Sequence, residues 1–167
     1  MSRRATAIAG RVRLLTFPEW LVLAESAVLA LGVEAALRLM PLTRVLAAVQ
    51  PPVAPAPRLD RAARARVARL ARWPFNVLPL PGTCLRIALV QVALLRRRDV
   101  PATVCFGVRR TDAGELEFHA WAECDEPLDD PAAAAAYARF EPVTPAAAGI
   151  TRTARWSRPA VPPDATA

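Results

Sequence analysis

Three stretches of the chain carry a clear pattern of apolar and polar positions. Residues 17–40, FPEWLVLAESAVLALGVEAALRLM, stay apolar for the length of a long helix, with Pro18 in the first turn, Glu19 near the positive end of the helix dipole and Pro41 as the stop. Residues 84–98, CLRIALVQVALLRRR, make a second apolar segment, interrupted only by Arg86 and Gln91 and finished by Arg96–Arg98. A helix apolar on nearly every side belongs in the middle of a domain. Thr83 stands at its N-cap position, and Asp99 and Pro101 end it. The period then changes to two. VPATVCFGVRR and LEFHAWAE read as antiparallel strands joined by the turn TDAGE, where Asp112 and Gly114 supply the turn chemistry. Alternation in the second strand puts Phe118, Ala120 and Ala122 on one face and Glu117, His119, Trp121 and Glu123 on the other.

Between these stretches the signals are shorter. LTRVLAAVQ is a short helix leading into the Pro-rich spacer PPVAPAP. Asp60 is an N-cap for RAARARVARLARW, whose arginines at 61, 64, 66, 69 and 72 form a basic side opposite Val67 and Leu70. That side is either a solvated face or a docking surface for an acidic partner. WPFNVLPLPGT reads as a loop, CDEPLDD as a turn leading to a third strand or a short loop, and PAAAAAYARF as a brief helix from Pro131. The chain divides into an N-terminal helical region with its spacer (1–57), a core region (58–141) and a loosely ordered tail (142–167).

Composition narrows the function classes. The chain is 54% hydrophobic with a mean hydropathy of +0.23, a surplus that suggests an apolar surface covered by a partner or a membrane. A membrane span over 17–40 is disfavoured, because Glu25 and Glu34 fall on opposite sides of the wheel and Arg38 adds a third charge. Each would cost about 2.5–3.5 kcal/mol near the bilayer centre. Glu34 and Arg38, at i and i+4, instead suit a helix packed in protein. All 22 basic residues are arginine and the net charge is +7, yet no aromatic-interleaved basic patch is present, so nucleic acid is not the expected partner. Three cysteines without a CxxC pair and one histidine exclude a zinc or His-rich site. No Gly-rich phosphate cradle is present, and no cofactor is expected. The N-terminus lacks a secretory signal pattern, and an intracellular, reducing, cytoplasmic setting is expected.

Candidate chemistry centres on Cys84 and His119. A thiol at a helix N-terminus meets the partial positive charge there, which favours the nucleophilic thiolate. Gly82-Thr83 just before it lets the backbone bend and offer amide donors, that of Cys84 included, to an oxyanion. His119, the only imidazole, would serve as base toward Cys84 and as acid toward a leaving amine, with a carboxylate from Asp125, Asp129 or Asp130 on its other nitrogen. Cys105, inside a strand, reads as a buried, inert thiol, and Cys124 lies near a turn. The other classes compatible with these residues are a non-catalytic peptide-binding module and a membrane-associated helical protein.

Cys84-Leu85, the block Leu94–Arg98, Gly107-Val108-Arg109 and His119-Ala120-Trp121-Ala122-Glu123 stand in the order and spacing of one known group of enzymes. On these motifs the chain resembles the leader peptidases of lasso-peptide biosynthesis, the stand-alone protease half of the split maturation B protein. The resemblance covers most of residues 11–130 and departs from the group's pattern at Arg86, Ile87 and Asp99. It implies an α+β, transglutaminase-like, papain-related fold with a central helix on a small antiparallel sheet. It also implies a Cys84–His119–Asp130 protease, with Asp129 as second choice for the carboxylate. Its substrate would be the leader segment of a ribosomally made precursor. The implied partners are a small PqqD-like leader-recognition protein and an asparagine-synthetase-like cyclase.

Overall fold

The computed structural model describes residues 16–52, 59–125, 127–128 and 131–140. The long apolar stretch forms helix α1 (Phe17–Leu39), and Glu19 caps its start by accepting hydrogen bonds from the Thr16 backbone N–H (2.7 Å) and hydroxyl (2.8 Å). Helix α2 (Leu42–Val49) follows after Pro41. Helix α3 (Arg61–Ala71) starts at Asp60, whose carboxylate accepts the Ala63 N–H at 2.7 Å, as an N-cap should. The Pro-rich stretch read as a loop contains one helical turn, α4 (Pro74–Val77), because Pro74 sits at the first helical position, where its missing N–H costs nothing. Helix α5 (Cys84–Arg96) comes next.

The hairpin is built from β1 (Thr103–Arg110) and β2 (Leu116–Glu123), paired antiparallel over their whole length. Its turn is closed by Gly114 at φ 83°, a backbone conformation that favours glycine. Among the described residues of CDEPLDD, read as a turn leading to a third strand or a short loop, Pro127 forms an isolated bridge with Glu123, and the third strand follows later in the chain. It comes from the end of the Ala-rich segment. Helix α6 (Pro131–Ala135) stops after five residues, and β3 (Ala138–Arg139) pairs with Gly107 and Val108 on the far side of β1. The sheet order is β2-β1-β3. The fold is α+β: helices around a central helix, laid on a small antiparallel sheet.

The main core explains why α5 is apolar all round. Leu89, Val90, Val92, Leu94 and Leu95 are fully buried among Ala30 and Val33 of α1, Val45 and Leu46 of α2, Val67 and Ala71 of α3, and Val104 and Ala122 of the sheet. Its one buried amide, Gln91, donates to the Ala68 carbonyl at 3.1 Å and so pins α5 to α3. Each side chain of this size adds about 1.5–3 kcal/mol when fully buried. Asp99 ends the helix in the left-handed region (φ 57°), and Val100 N–H reaches back to Leu95 O at 3.1 Å, closing an end that glycine commonly closes.

Helix α1 is long and apolar enough to cross a membrane by length and composition. All three of its glutamates nevertheless face protein cations. Glu19 pairs with Arg66 of α3, and Glu25 with Arg98 (2.7 Å) and Arg97 (3.4 Å) at the end of α5. Glu34 pairs with Arg86 of α5 (2.6 Å) and, at i+4, with Arg38 (2.7 Å). The basic side of α3 is thus not simply solvated, for Arg66 and Arg64 are both engaged in ion pairs.

Candidate active site

Cys84 is the first residue of α5, half-buried, and its position follows from the turn before it. Thr83 N–H bonds Pro81 O at 2.9 Å, so the chain folds back over Gly82. What holds Gly82 to its small size is Phe75: an added Cβ would lie 3.3 Å from the Phe75 Cβ. Thr83 occupies the N-cap position without capping through its hydroxyl, which instead accepts from Arg86 at 3.2 Å. With the Thr83 amide taken by Pro81, the donors left at the helix start are those of Cys84 and the residues after it. Among the described residues, no carbonyl accepts the Cys84 N–H.

His119 lies mid-way along β2, half-buried, with Gly107 of β1 as its cross-strand partner. Ala122 on one face of β2 belongs to the core around α5, so His119 and Trp121 project on the other. There a second, smaller cluster forms from Cys105, Trp121, Ala134 and Tyr137. The imidazole stacks on Tyr137 (ring centroids 5.0 Å, interplanar angle 28°) and more distantly on Trp121 (6.0 Å, 19°). Gly107 is what makes room. A Cβ there would come within 2.8 Å of the Tyr137 Cβ and 3.1 Å of the Trp121 ring.

Tyr137 is the residue on which the imidazole is stacked most closely. Its hydroxyl donates to Glu117 at 3.0 Å, and Arg109, itself paired with Glu117 at 2.6 Å, lies over its ring. Burial, then the hydrogen bond to Glu117, push the phenol pKa up, and the charge of a Cys84 thiolate adds to the same direction. Helix α5, which begins with the thiol, packs against β2, which carries the imidazole. The sulfur and the imidazole are not hydrogen-bonded to each other in this state. Such bonds are often long without substrate and tighten in the complex.

The remaining candidates separate. Asp125 is taken by Arg64 at 2.8 Å and is exposed, so its carboxylate serves α3. Asp129 and Asp130 lie outside the described residues. The Cys105 and Cys124 thiols are both pushed above the ordinary cysteine range, chiefly by burial, which suppresses their thiolates near neutral pH. No cluster of metal-ligating side chains exists among the described residues. A groove of about 540 Å³ opens between α1, α2 and the far end of α5, lined by Val28, Val33, Val45, Val49 and Ala93. Arg96, which also lines it, is twelve residues from Cys84, about 18 Å along the helix, so the groove is not part of this site.

Compared with known families, residues 27–144 match the model of the Transglutaminase-like superfamily, well over half of the chain. The chain belongs to the transglutaminase-like superfamily. No curated protein and no solved structure gives a significant match. Members of the superfamily are generally of cysteine-peptidase or transglutaminase type. The matched span begins inside α1 and runs past β3, so it takes in the central helix, the hairpin and the Tyr137 cluster together. Sequence reasoning did not single out Tyr137, although it is the only tyrosine in the chain and stands out in an alanine run.

Proposed function

We propose that this transglutaminase-like chain is a cysteine peptidase that removes the leader from a ribosomally made lasso-peptide precursor. The observation that carries the reading is that the helix begun by the half-buried Cys84 thiol packs on the strand that carries the chain's only imidazole, which is stacked on Tyr137. The Cys-Leu start of α5, Gly107-Val108-Arg109 and the His119–Glu123 motif support the finer assignment to leader removal.

The mechanism follows from the residues. His119 takes the Cys84 thiol proton, the thiolate attacks the scissile carbonyl carbon, and the oxyanion that forms is held by the Cys84 N–H at the helix start. His119 gives a proton to the leaving amine as the C–N bond breaks, leaving a thioester. It then takes a proton from water, whose hydroxyl attacks the thioester carbon. The C–S bond breaks, and the leader leaves as a carboxylic acid. Asp130, with Asp129 as second choice, fixes the imidazole tautomer. The reaction needs no cofactor. The proposed partners are a PqqD-like protein that presents the leader and an asparagine-synthetase-like cyclase that takes the freed core amine. The proposed setting is the cytoplasm, where thiols stay reduced.

The test uses the full chain with a leader-bearing lasso precursor and its leader-binding protein. Cys84→Ala abolishes cleavage, His119→Ala is equally severe, Asp130→Ala is severe and Asp129→Ala mild. Unchanged cleavage by Cys84→Ala rejects the assignment, and the reverse order of the aspartates moves that role to Asp129. Iodoacetamide near neutral pH separates a peptidase from an inert binding module. A catalytic Cys84 is alkylated ahead of Cys105 and Cys124, whereas equal rates at all three favour the binding module.

A further inference from the structure

The only tyrosine and the only histidine of the chain are stacked on each other, and three features hold the tyrosine there. Its hydroxyl is bonded to Glu117, its ring is covered by Arg109, and Gly107 opposite His119 leaves the space its Cβ occupies. Glu117 is in turn fixed by Arg109, and its carboxyl is held below the usual range first by that bond and then by the Tyr137 hydroxyl. Tyr137 itself is buried, and its anchors come from both strands of the hairpin.

We propose that Tyr137 is a positioning residue for His119: its ring, anchored by Glu117 and Arg109, sets the plane of the imidazole so that one nitrogen faces the Cys84 thiol. This rests on the acyl-transfer reading of Cys84 and His119 and adds a residue outside the thiol–imidazole–carboxylate set. An imidazole on a strand has two free side-chain torsions, and the second is broad and only weakly restricted by the backbone. A ring packed against its face removes that freedom before substrate arrives. Loss of such positioning is costly, since a misplacement of about 1 Å can lower a rate about a hundredfold.

With one histidine, the imidazole Cε1–H gives a single resonance in the full-length protein. In the wild type, ring currents from the stacked aromatic rings displace it upfield of free imidazole. Tyr137→Phe keeps the ring, so it keeps that displacement and leaves the iodoacetamide rate at Cys84 within about fivefold, the worth of one modest hydrogen bond. Tyr137→Met keeps bulk without a ring. It is expected to lose most of the displacement and to slow Cys84 alkylation by about tenfold or more, with the loss in kcat rather than KM on the precursor. If Tyr137→Met fails to fold by circular dichroism, Gly107→Ala displaces the ring in place and must move the resonance downfield as well. An unmoved resonance and an unchanged rate in the folded variants overturn the proposal. If His119→Ala itself leaves the Cys84 rate unchanged, it is the thiol–imidazole reading that falls, whatever Tyr137 does.

Discussion

Gly107 shows how much of the site is decided by a missing side chain. It faces His119 across the hairpin, and an added Cβ would press on the Tyr137 Cβ and the edge of the Trp121 ring. Substitution by alanine must move the Tyr137 Cβ, which is main-chain-bound and cannot swing away, so relief has to come from backbone shifts. Gly107→Ala is expected to cost about 1–3 kcal/mol of stability, the usual range for overpacking, measured by urea denaturation of the full chain. A cost near zero would mean that β3 slides freely over β1. The placement of Cys84 at a helix start and of His119 on a strand was legible from sequence, because each element is marked by its pattern and its end signals. Tyr137 was not, because its relation to His119 passes through a two-residue strand that pairs with β1. Asp125 misled for the opposite reason. Its closeness to His119 in sequence counts for less than Arg64, which is 61 residues away in the chain and 2.8 Å away in space.

At the scale of elements, the long patterns were readable, as were the short helices α2 and α6, and two of the shortest elements were not. α1, α3, α5 and the hairpin all follow from periodicity and end signals, with the predicted Asp60 cap in place. α4 and β3, four and two residues long, are set by packing, which no local pattern reports. The Asp60 cap gives the element-scale test. Asp60→Ala removes the acceptor of the Ala63 N–H and is expected to destabilise the protein by about 1 kcal/mol, seen as a lower midpoint of denaturation with an unchanged slope. Because α3 carries both Arg66, paired with Glu19, and the Ala68 carbonyl that takes Gln91, fraying at its start does not free it from α1 or α5. Asparagine at position 60 should restore the lost stability, since it offers the same acceptor.

For the molecule as a whole, the ion pairs between α1 and its neighbours make stability depend on pH from the acid side. Glu34 is held below the ordinary carboxyl range first by its hydrogen bond to Arg86 and then by Arg38. Glu19 is held there first by the Thr16 backbone and hydroxyl and then by Arg66, and Glu117 by Arg109 and the Tyr137 hydroxyl. A carboxyl whose folded value is depressed adds stability that is fully present above the unfolded value, about 4.3 for glutamate, and is lost as pH falls through the folded value. The buried thiols act at the other end. Cys105 and Cys124 are raised by burial, so the folded state holds their protons more tightly than the unfolded chain does. Their share is intact below the unfolded thiol value, about 8.5, and is lost as pH rises through the higher folded ones. Thermal melts are therefore expected to show a plateau between roughly pH 5 and 8, falling on both sides. Glu34→Gln should flatten the acid limb and leave the alkaline limb unchanged, and Cys105→Ala should do the reverse. An acid limb that survives Glu34→Gln at full slope would shift its origin to the other depressed carboxyls, Glu19 and Glu117. Those two can be told apart, because Glu19 fastens α1 to α3 while Glu117 fastens the sheet to Tyr137, so only loss of the latter also moves the His119 resonance.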